Sequence, residues 1–265
     1  MSLVHREAGP VDGPVALLLH GYPESSYMWR HLMPAIAGAG WRAIAPDLAG
    51  FGNSPPDTPG TWERHVASIG NFTSEQELDD VVLVVHDWGG LIGLAWACEH
   101  PEAVRALVIS GTGFFADGKW HGMGQVMRTE GEGEKLIEGL DREGFAGMLR
   151  STSQAFDDAA IAEYWKAYEG EERRRAHLDF YRSMDFEKLG RYEGRLAELN
   201  VPGLLFWGAD DPFAPVAGAK RFERELPDTK LVVVDGAGHF VFEDAPERAA
   251  EAVTGFLERR VRAPR

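Results

Sequence analysis

Four short motifs carry groups that can do chemistry: His20-Gly21-Tyr22-Pro23, Asp87 in VVHDWGG, Asp211 in WGADDPFAP and His239 in DGAGHF. A carboxylate is already ionised at neutral pH, so Asp87 needs no base before it attacks. It is a weak nucleophile, suited to an alkyl carbon whose leaving group departs from the opposite side. The product is an ester of Asp87, which water must cleave. His239 is the side chain suited to activate that water, and a second carboxylate would orient the imidazole and stabilise its charged form. Asp210 and Asp211 compete for this role; the spacing G-x-x-D-x-x-x-P, from Gly208 to Pro215, selects Asp211. A serine at position 87 would form an ether that water does not cleave, whereas the aspartate forms an ester that it does.

These residues need elements that bring them together. Short apolar runs at 15–19 (VALLL), 43–45 (AIA), 81–85 (VVLVV), 106–110 (ALVIS), 203–207 (GLLFW) and 231–234 (LVVV) read as buried strands. Helical stripes alternate with them: Trp29, Leu32, Met33 and Ile36; Trp62, Val66, Ile69 and Phe72; Leu91, Leu94 and Ala95; and Ala249, Val253, Phe256 and Leu257. The last ends in Arg259, Arg260 and Arg262, which complement the helix dipole. Strand–helix alternation predicts a mostly parallel sheet with helices on both faces. In such a sheet ligands bind beyond the carboxyl ends of the strands, where all four motifs fall. An aspartate between a strand and a helix can also be a plain N-cap. The ordered company of Asp211 and His239 favours the nucleophile.

The alternation breaks between about 114 and 195, a stretch rich in Glu, Arg and Gly whose apolar residues, such as Ile161, Tyr164, Trp165 and Tyr168, keep helical spacing. It reads as a helical cap inserted between two parts of one core, 1–113 and 196–265. The chain has 265 residues, 44% of them hydrophobic, enough for one large α/β unit. A net charge of −15 argues against nucleic acid and anionic membrane surfaces as partners. No run approaches the ~18–20 apolar residues of a membrane span. The N-terminus lacks a signal peptide's apolar stretch. Cys98 is the single cysteine and cannot form an intramolecular disulfide, which points to a reducing, cytoplasmic setting. No metal or cofactor is expected, and oligomeric state stays open.

HGYPESSYMW, APDLAGFGNS, VVHDWGG, WGADDPF and GAGHFVFEDAPE, in this order, resemble the α/β-hydrolase fold of the epoxide hydrolase and haloalkane dehalogenase branch, over nearly the whole chain. The resemblance implies that the backbone N–H groups of Tyr22 and Trp88 form an oxyanion hole. It also implies structural roles for His20 and His86 and a loop-fixing role for Asp47. Some relatives carry the acid after the strand ending at Ser110, where this chain offers no carboxylate before Asp117.

The leaving group divides the branch. An epoxide oxygen needs a proton donor, and tyrosines of the cap supply it in epoxide hydrolases. Tyr181 in DFYRSMD stands at the matching place, and Tyr164 or Tyr168 is the candidate for the other. A halide needs N–H donors, here Trp88 and Trp120. Tyr22 replaces the asparagine of many dehalogenases, so the resemblance favours an epoxide of small apolar character, with a haloalkane as the alternative. Trp88 stands where fluoroacetate dehalogenases carry an arginine, which argues against a carboxylate substrate. A non-catalytic binding protein on this fold is the remote alternative; such proteins usually lack a triad member.

Overall fold

The computed structural model describes residues 2–261; Arg262 lies outside them. Seven strands form one sheet: β1 (His5–Ala8), β2 (Val15–Leu19), β3 (Arg42–Pro46), β4 (Val81–His86), β5 (Val104–Ser110), β6 (Gly203–Gly208) and β7 (Thr229–Val234). Their order is β1-β3-β2-β4-β5-β6-β7. All neighbours run parallel except β1, which pairs antiparallel with β3. The sequence reading missed β1, because its four residues, HREA, carry no apolar run. It sits at the sheet's edge, where a strand can stay half-exposed.

Among the described residues twelve α-helices accompany the sheet: α1 (Leu32–Gly38), α2 (Trp62–Glu75), α3 (Trp88–Glu99), α4 (Gly122–Arg128), α5 (Glu132–Gly139), α6 (Arg142–Thr152), α7 (Asp158–Trp165), α8 (Glu171–Ser183), α9 (Arg195–Glu198), α10 (Val216–Glu225), α11 (Val241–Asp244) and α12 (Pro246–Arg260). Position in the sheet explains the composition of the central strands. Every residue of β4 and of β6 is buried, so both read as unbroken apolar runs. Each large aliphatic side chain removed from water there contributes about 1.5–3 kcal/mol. α3 packs against β2, β4 and β5 as well as α2, and it is apolar nearly all round. α2 buries one stripe only: Trp62, Val66, Ile69 and Phe72.

Between β5 and β6 the described residues form helices and no strand. This insertion touches the core at two places that matter. α8 packs on α2, and the hydroxyl of Tyr168, just past α7, pairs with that of Tyr22 in the loop after β2 at 2.6 Å. The insertion therefore lies against the loops at the carboxyl ends of β2 and β4.

Candidate active site

Asp87 stands between the last residue of β4 and the first of α3, with φ 49° and ψ −118°. A non-glycine residue rarely adopts such a backbone, and strain of this kind is held only where the surroundings over-determine it. The fixing is visible. The Asp87 carbonyl accepts from Gly90 N–H and from the Thr112 hydroxyl. A Cβ on Gly89 would come within 2.2 Å of the Leu19 carbonyl oxygen, so only glycine lets the turn close on β2. Gly21 is crowded in the same way: a Cβ there would lie 2.5 Å from the Asp87 Cβ.

The two oxygens of Asp87 have different surroundings. Oδ1 accepts the backbone N–H of Tyr22 at 2.7 Å. Oδ2 lies 3.5 Å from Nε2 of His239. The other nitrogen of His239, Nδ1, is 2.9 Å from Asp211 Oδ2. Asp211 is itself held, its Oδ1 accepting the N–H groups of Phe213 and Ala214 at 2.9 and 2.8 Å. Asp211 is buried and Asp210 exposed, so the structure joins Asp211 to the histidine. Burial pulls the His239 pKa down, but the hydrogen bonds and charges of Asp211 and Asp87 outweigh it and raise the value to about 10. Burial would raise the Asp87 pKa, yet His239 and the Tyr22 N–H hold it below the usual carboxylate value. The free protein therefore holds an ionised Asp87 beside a protonated His239.

Asp87 and His239 open into a cavity of about 240 Å³, lined also by Tyr22, His121, Leu149, Tyr181 and Phe213. Tyr181 meets the Tyr22 ring edge-on at 5.1 Å and the Trp88 ring at 5.0 Å. Burial raises its pKa well above 10, so its hydroxyl stays protonated; the Trp88 side chain, hydrogen-bonded to it, pulls slightly the other way. Trp120 stacks on Trp88 at 5.4 Å between ring centroids and stands behind Tyr181 rather than in the cavity lining. Its buried indole N–H has no hydrogen-bond partner among the described residues.

The expectation for Tyr164 needs correction. Its hydroxyl donates to Glu243 Oε1 at 2.6 Å, and the same carboxylate holds Arg30 through two 2.7 Å bonds. Tyr164 is committed to this buried ion pair and does not line the cavity. Tyr168, one turn further on, is the tyrosine that reaches Tyr22.

His20 accepts the Leu48 N–H at Nε2, and Asp47 accepts the N–H groups of Ser26 and Asn53, which makes both of them loop fixers. His86 is different. Among the described residues neither ring nitrogen has a hydrogen-bond partner; its ring centroid lies 4.8 Å from that of His239, and its Nε2 is 3.7 Å from Glu24 Oε2. Burial lowers its pKa to about 3. Two residues escaped the sequence reading. His121 lines the cavity, its Nδ1 accepting the Gly124 N–H and its ring 5.0 Å from Phe213. Glu24 is fully buried, and neither of its oxygens has a hydrogen-bond partner among the described residues. Burial, with Glu243 and Asp87 adding, raises its pKa well above the usual value. A carboxyl group inside the HGYPE motif was the available signal for Glu24; nothing in the sequence marked His121.

Comparison with known proteins matches residues 14–246 to the alpha/beta hydrolase fold family. The chain belongs to this α/β-hydrolase family. Within it, the chain is similar to a cis-3-alkyl-4-alkyloxetan-2-one decarboxylase of Xanthomonas campestris, with 28% identity over 98% of this chain and 93% of that protein. A haloalkane dehalogenase of Psychrobacter cryohalolentis is 30% identical over 95% of this chain and 86% of its own. Among solved structures, a putative ancestral haloalkane dehalogenase superposes with a TM-score of 0.82 at 29% identity, covering 97% of this chain and 95% of the other. An epoxide hydrolase of Vigna radiata shares the fold, with a TM-score of 0.81 at 21% identity over 97% and 98% of the two chains. This α/β-hydrolase is thus a relative of haloalkane dehalogenases that shares its fold with an epoxide hydrolase. None of its described helices is long and apolar enough to cross a membrane.

Proposed function

We propose that the protein hydrolyses haloalkanes through an ester of Asp87. The observation that carries the ester is the division of labour at Asp87: Oδ1 is held by the Tyr22 N–H, while Oδ2 lies on the side of His239. Oδ2 attacks the alkyl carbon and the halide leaves with the bonding electrons. Oδ1 becomes the ester carbonyl oxygen and is already in the oxyanion hole. Esterification removes the Asp87 charge that holds the His239 proton, and that proton leaves to solvent; the neutral imidazole then takes a proton from water, whose oxygen adds to Asp87 Cγ. Collapse of this intermediate breaks the Cγ–Oδ2 bond and releases the alcohol. One oxygen of water remains on Asp87, and one proton leaves per turnover along with the halide.

Haloalkanes stand first because several of the similar proteins are haloalkane dehalogenases. This reverses the order favoured by Tyr22 and Tyr181 in the sequence. The indoles of Trp88 and Trp120 stack on one another beside Tyr181 but outside the cavity lining, so a halide meets the free Trp120 N–H only where Tyr181 gives way. A specific observation keeps epoxides as the second reading. The Tyr181 hydroxyl lines the cavity with Asp87 and stays protonated, as a donor to an alkoxide must. In either case the apolar lining suits a small uncharged substrate.

Trapping tests both. A His239→Gln variant, incubated with a 1-bromoalkane, a terminal epoxide or an oxetan-2-one, is digested and weighed. The haloalkane adduct on the Asp87 peptide is lighter than the substrate by HBr, whereas the epoxide adduct keeps its whole mass. Labelling by the epoxide alone establishes the second reading. No label at Asp87 from any substrate refutes the ester.

A further inference from the structure

Tyr22 is held from two sides. Its backbone N–H donates to Asp87 Oδ1 at 2.7 Å. The peptide that carries this N–H is fixed from the core at its other end: the Gly21 carbonyl accepts from His20 Nδ1 at 2.9 Å and from the Glu24 N–H at 3.1 Å. The Tyr22 side chain is fixed from the inserted helices. Its hydroxyl pairs with that of Tyr168 at 2.6 Å, and its ring meets those of His177 and Tyr181 edge-on at 5.3 and 5.1 Å. Tyr168 is itself tightly packed. Its ring stacks on His177 at 4.6 Å and on Trp165 at 5.4 Å, and His177 Nε2 donates to the Ala167 carbonyl at 2.8 Å.

Burial gives the hydroxyl pair its direction. Tyr168 is 1% exposed, and its hydroxyl has no other partner among the described residues. A buried donor left unpaired costs free energy, so Tyr168 donates and the Tyr22 oxygen accepts. Tyr22 is less buried and borders the cavity, so its own proton is not stranded. We propose that Tyr168 is a positioning residue for the oxyanion hole: by holding the Tyr22 hydroxyl it fixes, from the insertion, the loop whose N–H faces Asp87 Oδ1. The proposal rests on the ester reading and not on the identity of the leaving group. It makes the two halves of the reaction unequal. In ester formation negative charge leaves Asp87, and the Tyr22 N–H gains nothing as the barrier is climbed. In ester breakdown charge returns to Oδ1 in the tetrahedral intermediate, and the N–H must be in place to meet it. A loosened loop therefore slows breakdown and spares formation. Disturbed packing of the insertion would slow both, because Tyr181 and His121 reach the cavity from the same helices.

Single turnovers of a bromoalkane or a terminal epoxide, quenched and weighed as intact protein, separate the two steps. Tyr168→Phe keeps the ring and its stacking and strands no buried donor. It is expected to slow breakdown about tenfold with formation unchanged, so that ester accumulates during turnover. Tyr22→Phe removes the same bond from the other side and is expected to match it. The double variant is expected to be no slower than either single one, since all three lack one and the same bond. The proposal is overturned if Tyr168→Phe breaks down its ester at the parental rate, if it slows both steps alike, or if the two substitutions multiply in the double variant. Where no substrate labels Asp87, even in His239→Gln, the ester reading fails and takes this proposal with it. Ester that forms in the parent and breaks down equally fast in Tyr168→Phe defeats the proposal alone.

Discussion

Esterifying Asp87 removes one of the two negative charges that keep His239 protonated, and this should turn an imidazolium into a base at the step that needs one. Asp87→Asn imitates the charge loss without substrate. The distance from Asp87 Oδ2 to His239 Nε2 is 3.5 Å. At an effective dielectric of about 20, two unit charges at that distance interact by ~5 kcal/mol; halving this for the partly open site leaves ~2.4 kcal/mol. At about 1.36 kcal/mol per unit, the loss corresponds to a fall of roughly 2 to 3.5 pKa units. His239 should therefore drop from about 10 to the range of roughly 6.5 to 8, with Asp211 still holding Nδ1. The assay is a side-chain nitrogen NMR titration of His239 between about pH 5 and 11 in the parent and in Asp87→Asn. A fall of less than about one unit refutes the reasoning, because the carboxylate would then not be what holds the proton. A kinetic consequence accompanies it. Ester breakdown should rise with pH through the lowered pKa, while ester formation stays flat across neutral pH, since Asp87 is ionised throughout.

Other outcomes can be measured directly. Glu24 binds its proton more tightly folded than unfolded, so raising the pH above about 4.5 strips the unfolded chain first and lowers stability. Glu24→Gln removes that penalty and should melt a few degrees above the parent at pH 8, at ~2–4 °C per kcal/mol, with the gap closing near pH 4. His239 has the same sense in a higher window: its raised pKa adds stability that is complete below about pH 6.5 and is lost as the pH rises toward 10, visible as a thermal midpoint that falls over that window and does so less in His239→Gln. If halide reaches the Trp120 N–H, Trp120→Phe should raise KM for a bromoalkane and slow ester formation roughly tenfold, about 1.4 kcal/mol, and leave an epoxide unaffected; Tyr181→Phe should do the reverse if epoxides are turned over. Gly89→Ala, whose Cβ would meet the Leu19 carbonyl at 2.2 Å, should cost about 2 kcal/mol or more in urea denaturation; an unchanged midpoint would mean that the turn has room to relax.

The main frame was legible because its signals are local. β4 and β6 are buried on both faces, so each is an unbroken apolar run with a reactive residue just beyond its carboxyl end. Sheet order then makes the loops after β2, β4, β6 and β7 neighbours, which brings the Tyr22 N–H, Asp87, Asp211 and His239 together. β1 escaped because an edge strand of four mostly polar residues has no periodic signature.

The insertion was legible as helices and not as a site, and the reason is geometric. Tyr164 and Tyr168 are four residues apart, one turn of helix, so spacing gives them the same face. What separates them is tertiary. Tyr164 meets a carboxylate that Arg30 already holds, and that buried ion pair takes its hydroxyl away from substrate. Tyr168 meets the phenol of Tyr22, on the loop whose N–H holds Asp87. His121 illustrates the same limit, for its place in the cavity follows from the Gly124 N–H that fixes its ring at the start of α4. Nucleophile, base and acid follow strands of one sheet, and the sheet's topology determines their meeting. Leaving-group donors come from an insertion whose docking depends on individual side-chain pairs, so the choice between halide and epoxide oxygen rests on contacts that periodicity does not encode.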